Sequence, residues 1–287
     1  MKRWTRVGSA RKLLAPLVGK GSGRSLMIAG LAMVVFVVAM SALAPFLGTQ
    51  NPGYSGTAVD SPPSSQHPLG TDIYARDMLA RVIWGGRFLL VVGVLAVLLC
   101  MAVGVPLGLL SAYRGGVVDR LVTLVVDSVY AFPGLIFSLI IVLVFGSSIV
   151  NYALAIAVVY VPSYFRVVRS QTLTVKELPY VDAAKSVGAG RLAIIRKYIW
   201  PNVIPSVVVV ATINFADAIL ITAGLDFIGV GDLTKPDWGV DLYYGRTAVL
   251  SGAWWAIAFS GLMILLTALG FSLISEGYAE RTNPKLR

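Results

Sequence analysis

Two carboxylates stand where carboxylates are expensive. Asp127 lies in "RLVTLVVDSVYAFPGLIF" and Asp217 in "INFADAILITAG", both otherwise apolar. An acid at the centre of a membrane helix costs roughly 2.5–3.5 kcal/mol on insertion scales, so neither side chain should face lipid. Two uses fit: lining a polar pathway or proton relay, or pairing with Ser, Tyr or backbone groups inside a bundle. Pairing is the expectation for Asp127, and both uses stay open for Asp217. A second concentration of charge is "YVDAAKSVGAGRLAIIRKYIWPN", Tyr180 to Asn202, with Asp182, Lys185, Arg191, Arg196 and Lys197 between two apolar runs. Other chemistry is thin. No G-x-x-x-x-G-K-[ST] is present, so any ATP must be bound by another subunit. The one histidine, His67, and the one cysteine, Cys100, cannot form a metal cluster or a disulfide within the chain. No convergent nucleophile, base or metal set argues for an enzyme, and no cofactor is implied.

The elements that must hold these residues are membrane helices. The chain is 57% hydrophobic and 13% charged, against roughly 25% charged in ordinary soluble domains. An all-α, polytopic membrane protein follows, with apolar runs at 26–48, 88–112, 121–145, 149–168, 199–223 and 255–275, each near the length that crosses about 30 Å of hydrocarbon. Most of the 24 Lys and Arg fall on one side of these six spans, which places that side and both termini in the cytoplasm. The basic residues sit at the ends of apolar runs, where they meet membrane lipid headgroups rather than nucleic acid. The organisation expected is a basic arm over 1–25, a first helix over 26–48, an external loop over 49–87, a five-helix core over 88–275 with a cytoplasmic loop at 170–200, and a tail over 276–287. The second external loop, Gly224 to Trp254, holds Asp226, Asp232, Asp237 and Asp241 and reads as a solvated acidic loop. "GVPLG", Gly104 to Gly108, is a G-x-x-x-G that fits close helix packing, within the chain or against a partner.

The charged stretch reads as a compact helix-turn-helix outside the bilayer. Pro179 suits a first helical position, and Asp182 sits favourably near the positive end of the first helix. Gly188 and Gly190 allow a sharp turn. The second piece carries Leu192, Ile195 and Ile199 on one face and ends at Pro201. On pattern alone, docking against a partner and lying on anionic lipid fit equally.

"DAAKSVG", with Pro201 thirteen residues after Gly188, resembles the E-A-A-x-x-x-G loop of permease subunits in ATP-binding-cassette importers. Asp182 stands in place of Glu, and Tyr198 and Trp200 in place of Ile and Leu. "HPLGTDIYARDMLARVIWGGR", "AFPGL", "DFIGVGDLTKPDWG" and the terminal "NPKLR" are similar to the second permease of dipeptide, oligopeptide and nickel importers. Where that family often carries an acid before F-[LI]-G-x-G, this chain has "ITAGLD", with Thr222 near the place. The resemblance implies a type I importer-like permease in the bacterial inner membrane that forms the translocation path with a homologous permease. It also implies two cytoplasmic ATP-binding-cassette ATPase domains and an external substrate-binding protein. Asp182, Ala183, Ala184, Lys185, Gly188, Ala189 and Arg191 would form the loop that couples to the ATPases, and Asp127, Asp217 and Thr222 are the candidate pathway residues. The alternative is a self-sufficient carrier driven by an ion gradient, with Asp127 and Asp217 as its relay.

Overall fold

A computed structural model describes residues 22–47 and 51–282. The basic arm before Ser22 and the "NPKLR" end lie outside the described residues. The helices are α1 (Ser22–Leu43), α2 (Met78–Arg114), α3 (Gly116–Tyr130), α4 (Gly134–Phe145), α5 (Ile149–Lys176), α6 (Pro179–Ser186), α7 (Arg191–Ile228), α8 (Trp238–Ala248) and α9 (Trp255–Thr282). Five of these, α1, α2, α5, α7 and α9, are long and apolar enough to cross a membrane, and α3 with α4 makes a sixth span if the pair is counted together. Among the described residues there is no strand, only two isolated bridges, Ser55 with Arg76 and Thr71 with Asp77.

The long helices outrun their apolar runs at one end or both, because charged residues at the ends find partners instead of stopping the helix. α2 begins ten residues before the expected 88: Asp77 caps it by accepting from the Ala80 N–H at 2.8 Å, Arg81 is buried in ion pairs, and the Arg87 guanidinium lies over the Trp84 ring. Its 37 residues make a rod of about 55 Å, longer than the hydrocarbon is thick.

The run at 121–145 is not one straight span. It breaks at Ala131–Pro133, and α3 and α4 meet at 82°. Proline lacks the N–H that a continuing helix requires and pushes the preceding residue out of the helical region, so Phe132-Pro133 ends α3. At Pro201 the opposite holds. The second helical piece does not end there but runs on as α7, after the wider turns of a π segment, Ile195–Ile199. Those turns relieve the clash between the proline ring and the carbonyl one turn back, so the chain remains helical from Arg191 to Ile228.

Close packing joins the spans. A Cβ on Gly104 would lie 2.9 Å from the Val161 carbonyl oxygen, and one on Gly108 2.9 Å from that of Phe165. The G-x-x-x-G therefore seats α2 against α5 within this chain, and is not spent on a partner. Gly30 meets the Gly270 backbone in the same way, drawing α1 onto α9. One apolar core lies among α1, α2, α7, α8 and α9. A second gathers Leu109, Tyr164, Val168, Ile199 and Val203 together with Val181 and Ile194, so the loop after α5 is rooted in the spanning bundle.

Candidate functional site

The loop between α5 and α7 is built from both faces of a short helix. Pro179 occupies the first turn of α6, and Val181 and Ala184, three apart, turn inward and are buried. Asp182, Ala183, Lys185 and Ser186 turn outward and are exposed. Asp182 accepts from the Lys185 ammonium at 2.8 Å, which pushes the lysine's pKa up, and the Ser186 hydroxyl donates to the Asp182 carbonyl. The helix closes with the paired bonds of a Schellman cap: the Ala189 N–H donates to the Ala184 carbonyl and the Gly188 N–H to that of Lys185, both at 3.0 Å. Gly188 has φ +79°, the left-handed region that this cap requires. Gly190 does not share that role, since its backbone is extended. Ile194, Ile195 and Ile199 are buried, whereas Leu192, expected on their face, points away and is 66% exposed, and Val187 at the turn is 85% exposed. The outcome is a rigidly rooted protrusion with an apolar tip and a mixed-charge flank. Beside it opens a cleft of about 910 Å³ lined by Leu110, Arg114, Val118, Lys176, Lys185 and Arg191.

Deeper in the spans, Asp127 finds a cation rather than Ser, Tyr or backbone. Arg166 of α5 donates to Asp127 Oδ1 from Nη2 at 2.7 Å and from Nε at 3.2 Å, and both side chains are about half exposed. The guanidinium also lies 4.1 Å from the centre of the Tyr130 ring. Asp217 of α7 is partly buried and lies near Tyr160 of α5. Asp127 thus belongs to an ion pair between α3 and α5, which Asp217 does not share. Thr222 does not join it, being fully buried with its hydroxyl donating to the Ala218 carbonyl in its own helix. Asp119, between the apolar runs at 88–112 and 121–145, is buried and takes a two-pronged contact from Arg169 at 2.8 and 2.6 Å, with the Ser111 hydroxyl donating to it as well.

Of the acids in the loop from Gly224 to Trp254, only Asp232 is solvated, and it pairs with the exposed Lys235. Asp226, Asp237 and Asp241 are all buried. Asp237 caps α8 by accepting from the Gly239 and Val240 N–H groups. Asp241 is paired with the fully buried Arg81 and accepts from Ser260, and Asp226 accepts from Tyr152. Arg76 donates to Asp72 at 2.6 Å alongside. Burial pushes the Asp237 carboxyl well above the usual carboxylate range, and the neighbouring Asp226 adds to the shift. His67 lies beside this network with Nδ1 2.9 Å from Asp77. The spacing of "DLTKPDWGVD" carried the signal of a capped helix at Asp237, but nothing local pairs Asp241 with a residue 160 positions away.

Among the described residues no three His, Cys, Asp or Glu side chains gather as a metal site. The arrangement offers a protruding loop, an ion pair between α3 and α5, and a buried network of carboxylates and guanidiniums around Arg81. The profile of the binding-protein-dependent transport system inner membrane components matches residues 104–287. The chain belongs to this family. As a binding-protein-dependent transport component it is a multi-pass bacterial inner-membrane permease of an ATP-driven importer and not an enzyme. In general terms, such a permease works with an ATPase, a substrate-binding protein and a permease partner. Among its relatives, a probable D,D-dipeptide transport system permease protein of Escherichia coli K12 is 36% identical over 94% of this chain and 91% of its own length. A dipeptide transport system permease protein of Alkalihalophilus pseudofirmus is 35% identical over 91% and 86%. A glutathione transport system permease protein of Pectobacterium atrosepticum is 36% identical over 78% and 75%.

Proposed function

We propose that this chain imports short peptides as one half of a permease pair, with both termini in the cytoplasm and the loop from Asp182 to Arg191 docked on an ATPase subunit. The observation that carries the proposal is the loop's construction. An exposed apolar tip, Val187 and Leu192, stands on roots that share a core with the spanning helices. A surface made to be covered is thereby fixed to the elements that must move. Asp182 and Arg191 flank the tip with opposite charges that orient a partner. The exposed apolar side chains of α3 and α4, among them Leu121, Leu124, Ile136 and Ile140, offer a face for a homologous permease. The peptide substrate follows from the dipeptide and glutathione systems of the relatives.

ATP-driven uptake by the complete importer in proteoliposomes tests the coupling role. Gly188→Pro cannot adopt φ +79°, because proline is held near −65°, so the cap is lost and uptake should fall to background while the chain remains in the membrane with its permease partner. Arg191→Glu, which leaves the backbone alone, should do the same. Normal uptake by both variants overturns the assignment.

A further inference from the structure

The cleft beside the loop combines an apolar wall with a basic rim. The wall belongs to the spans: Leu107 and Leu110 lie in the apolar run of α2 that ends at 112, and Val118 and Val122 stand on the first turns of α3. Leu107, Leu110 and Val118 are exposed. The rim is cationic. Arg114 stands just past the end of the α2 run, Lys176 at the end of α5, Lys185 on α6 and Arg191 at the start of α7, and Glu177 is the one acid among the lining residues. Wall and rim meet where a membrane helix leaves its apolar run, which is the composition of a headgroup boundary.

The cations of the rim are not neutralised from within the chain. The side chains of Arg114 and Arg191 have no hydrogen-bond or ion-pair partner among the described residues. Lys176 donates to a neutral acceptor, the Ala112 carbonyl at 3.1 Å, which leaves its charge in place. Lys185 alone has a carboxylate, that of Asp182. Asp119, bonded to Ser111 of the cleft lining, is taken by Arg169 through both oxygens. The surplus charge selects an anion, and guanidinium with ammonium suits phosphate, which Arg grips with two N–H groups and Lys meets as a point charge. The volume of about 910 Å³ lies within the roughly 300–1,000 Å³ of pockets that enclose small molecules. A soluble anion would leave the apolar wall uncovered. The ATPase is the rival occupant, because Arg191 and Leu192 of the loop line the cleft too, but a water-soluble subunit has no access to a wall that continues into the spanning run of α2. A phospholipid satisfies both surfaces, with its phosphate on the rim and its chains on the wall.

We propose that this cleft binds the headgroup of an anionic phospholipid, with Arg114, Lys176 and Arg191 on the phosphate and the acyl chains against Leu107, Leu110, Val118 and Val122. Because α2, α3, α5 and α7 all contribute, the lipid ties the loop to the spans. The site rests on the proposed orientation for its leaflet alone, the cytoplasmic one.

The test is native mass spectrometry of the assembled permease pair and ATPase in detergent, titrated with phosphatidylglycerol or phosphatidylcholine. The wild type should hold phosphatidylglycerol more tightly than phosphatidylcholine, whose choline the rim repels. Arg114→Gln, which removes an exposed and unpaired charge, should weaken phosphatidylglycerol by about fivefold, the worth of one basic residue near an anionic surface, and leave phosphatidylcholine unchanged. Arg114→Lys should keep most of the preference, and Arg196→Gln, at an exposed cation outside the cleft, should keep all of it. Equal affinity of the wild type for the two lipids overturns the proposal, as does a preference that survives Arg114→Gln intact. A loss at Arg196→Gln as large as at Arg114→Gln also overturns it, by making the effect one of general surface charge. Inorganic phosphate that displaces the lipid at equal concentration would make the cleft a site for a soluble anion. A preference seen in the permease pair but lost on adding the ATPase would make it part of the ATPase interface. Either result removes the lipid. If Gly188→Pro and Arg191→Glu keep normal uptake while the wild type keeps its lipid preference, the coupling role falls and this site stands.

Discussion

The two ends of the bundle use the same residue types in opposite ways. At the outer end, Arg81 and Asp241 are sealed from solvent, with Asp72, Arg76, Asp237 and Asp226 packed around them. At the opposite loop, Asp182, Lys185 and Arg191 are all exposed, and the loop is held by its apolar residues Val181, Ile194, Ile195 and Ile199 instead. A buried charge must be satisfied where it stands and becomes a fastening. An exposed one costs little to leave half-paired and is available to a partner. The outer end is therefore built to stay closed upon itself, and the loop to be completed by something else.

The largest expected effect comes from unfastening the outer end. Arg81→Gln leaves Asp241 buried beside no full cation, a change that costs about 3–5 kcal/mol, read as a large fall in Tm of the detergent-purified protein. Arg81→Met with Asp241→Leu removes both charges and should recover most of the loss, whereas failure to recover would show that the pair does more than neutralise itself. An intermediate effect belongs to Asp237. Its folded pKa is raised, so the folded state holds a proton that the unfolded chain releases at a lower pH. The stability it contributes is fully present below the unfolded value, about 3.9, and is lost as pH rises towards the folded value. Asp237→Asn keeps a side-chain acceptor for the Gly239 and Val240 N–H groups and should flatten the decline in Tm with rising pH. A slope identical to that of the wild type would place the titration elsewhere. The smallest effect is at the loop: Asp182→Asn breaks only an exposed pair with Lys185 and should leave Tm unmoved while lowering ATP-driven uptake. A clear drop in Tm would make the loop a fastening too and erase the contrast.

The spans were legible because hydrophobic length is a local property, and the turn at Gly188 because its glycine requirement is local as well. The break at Pro133 was hidden by an apolar run that continues through it. The start of α2 was hidden by Arg81 and Arg87, which read as the end of the membrane segment until their partners are seen. Arg81 finds Asp241 at a sequence separation of 160 and Arg169 finds Asp119 at 50, distances over which composition and periodicity carry no information. The candidate site divides in the same way. Asp182, Lys185 and Arg191 were visible as one charged stretch, but Arg166 was not visible as the partner of Asp127, because the two stand 39 residues apart.

The π segment at Ile195–Ile199 does more than accommodate Pro201. By keeping the chain helical from Arg191 to Ile228, it makes a single lever of about 57 Å that begins at the protruding loop, passes Asp217 and ends at Asp226 in the sealed outer network. A joint at Pro201 would have let the loop swing freely and absorbed the motion locally. An unbroken rod converts a tilt of about 10° around its midpoint into a displacement of about 5 Å at each end, close to one helical turn. Force applied at one membrane surface would then arrive at the other as movement in the opposite direction.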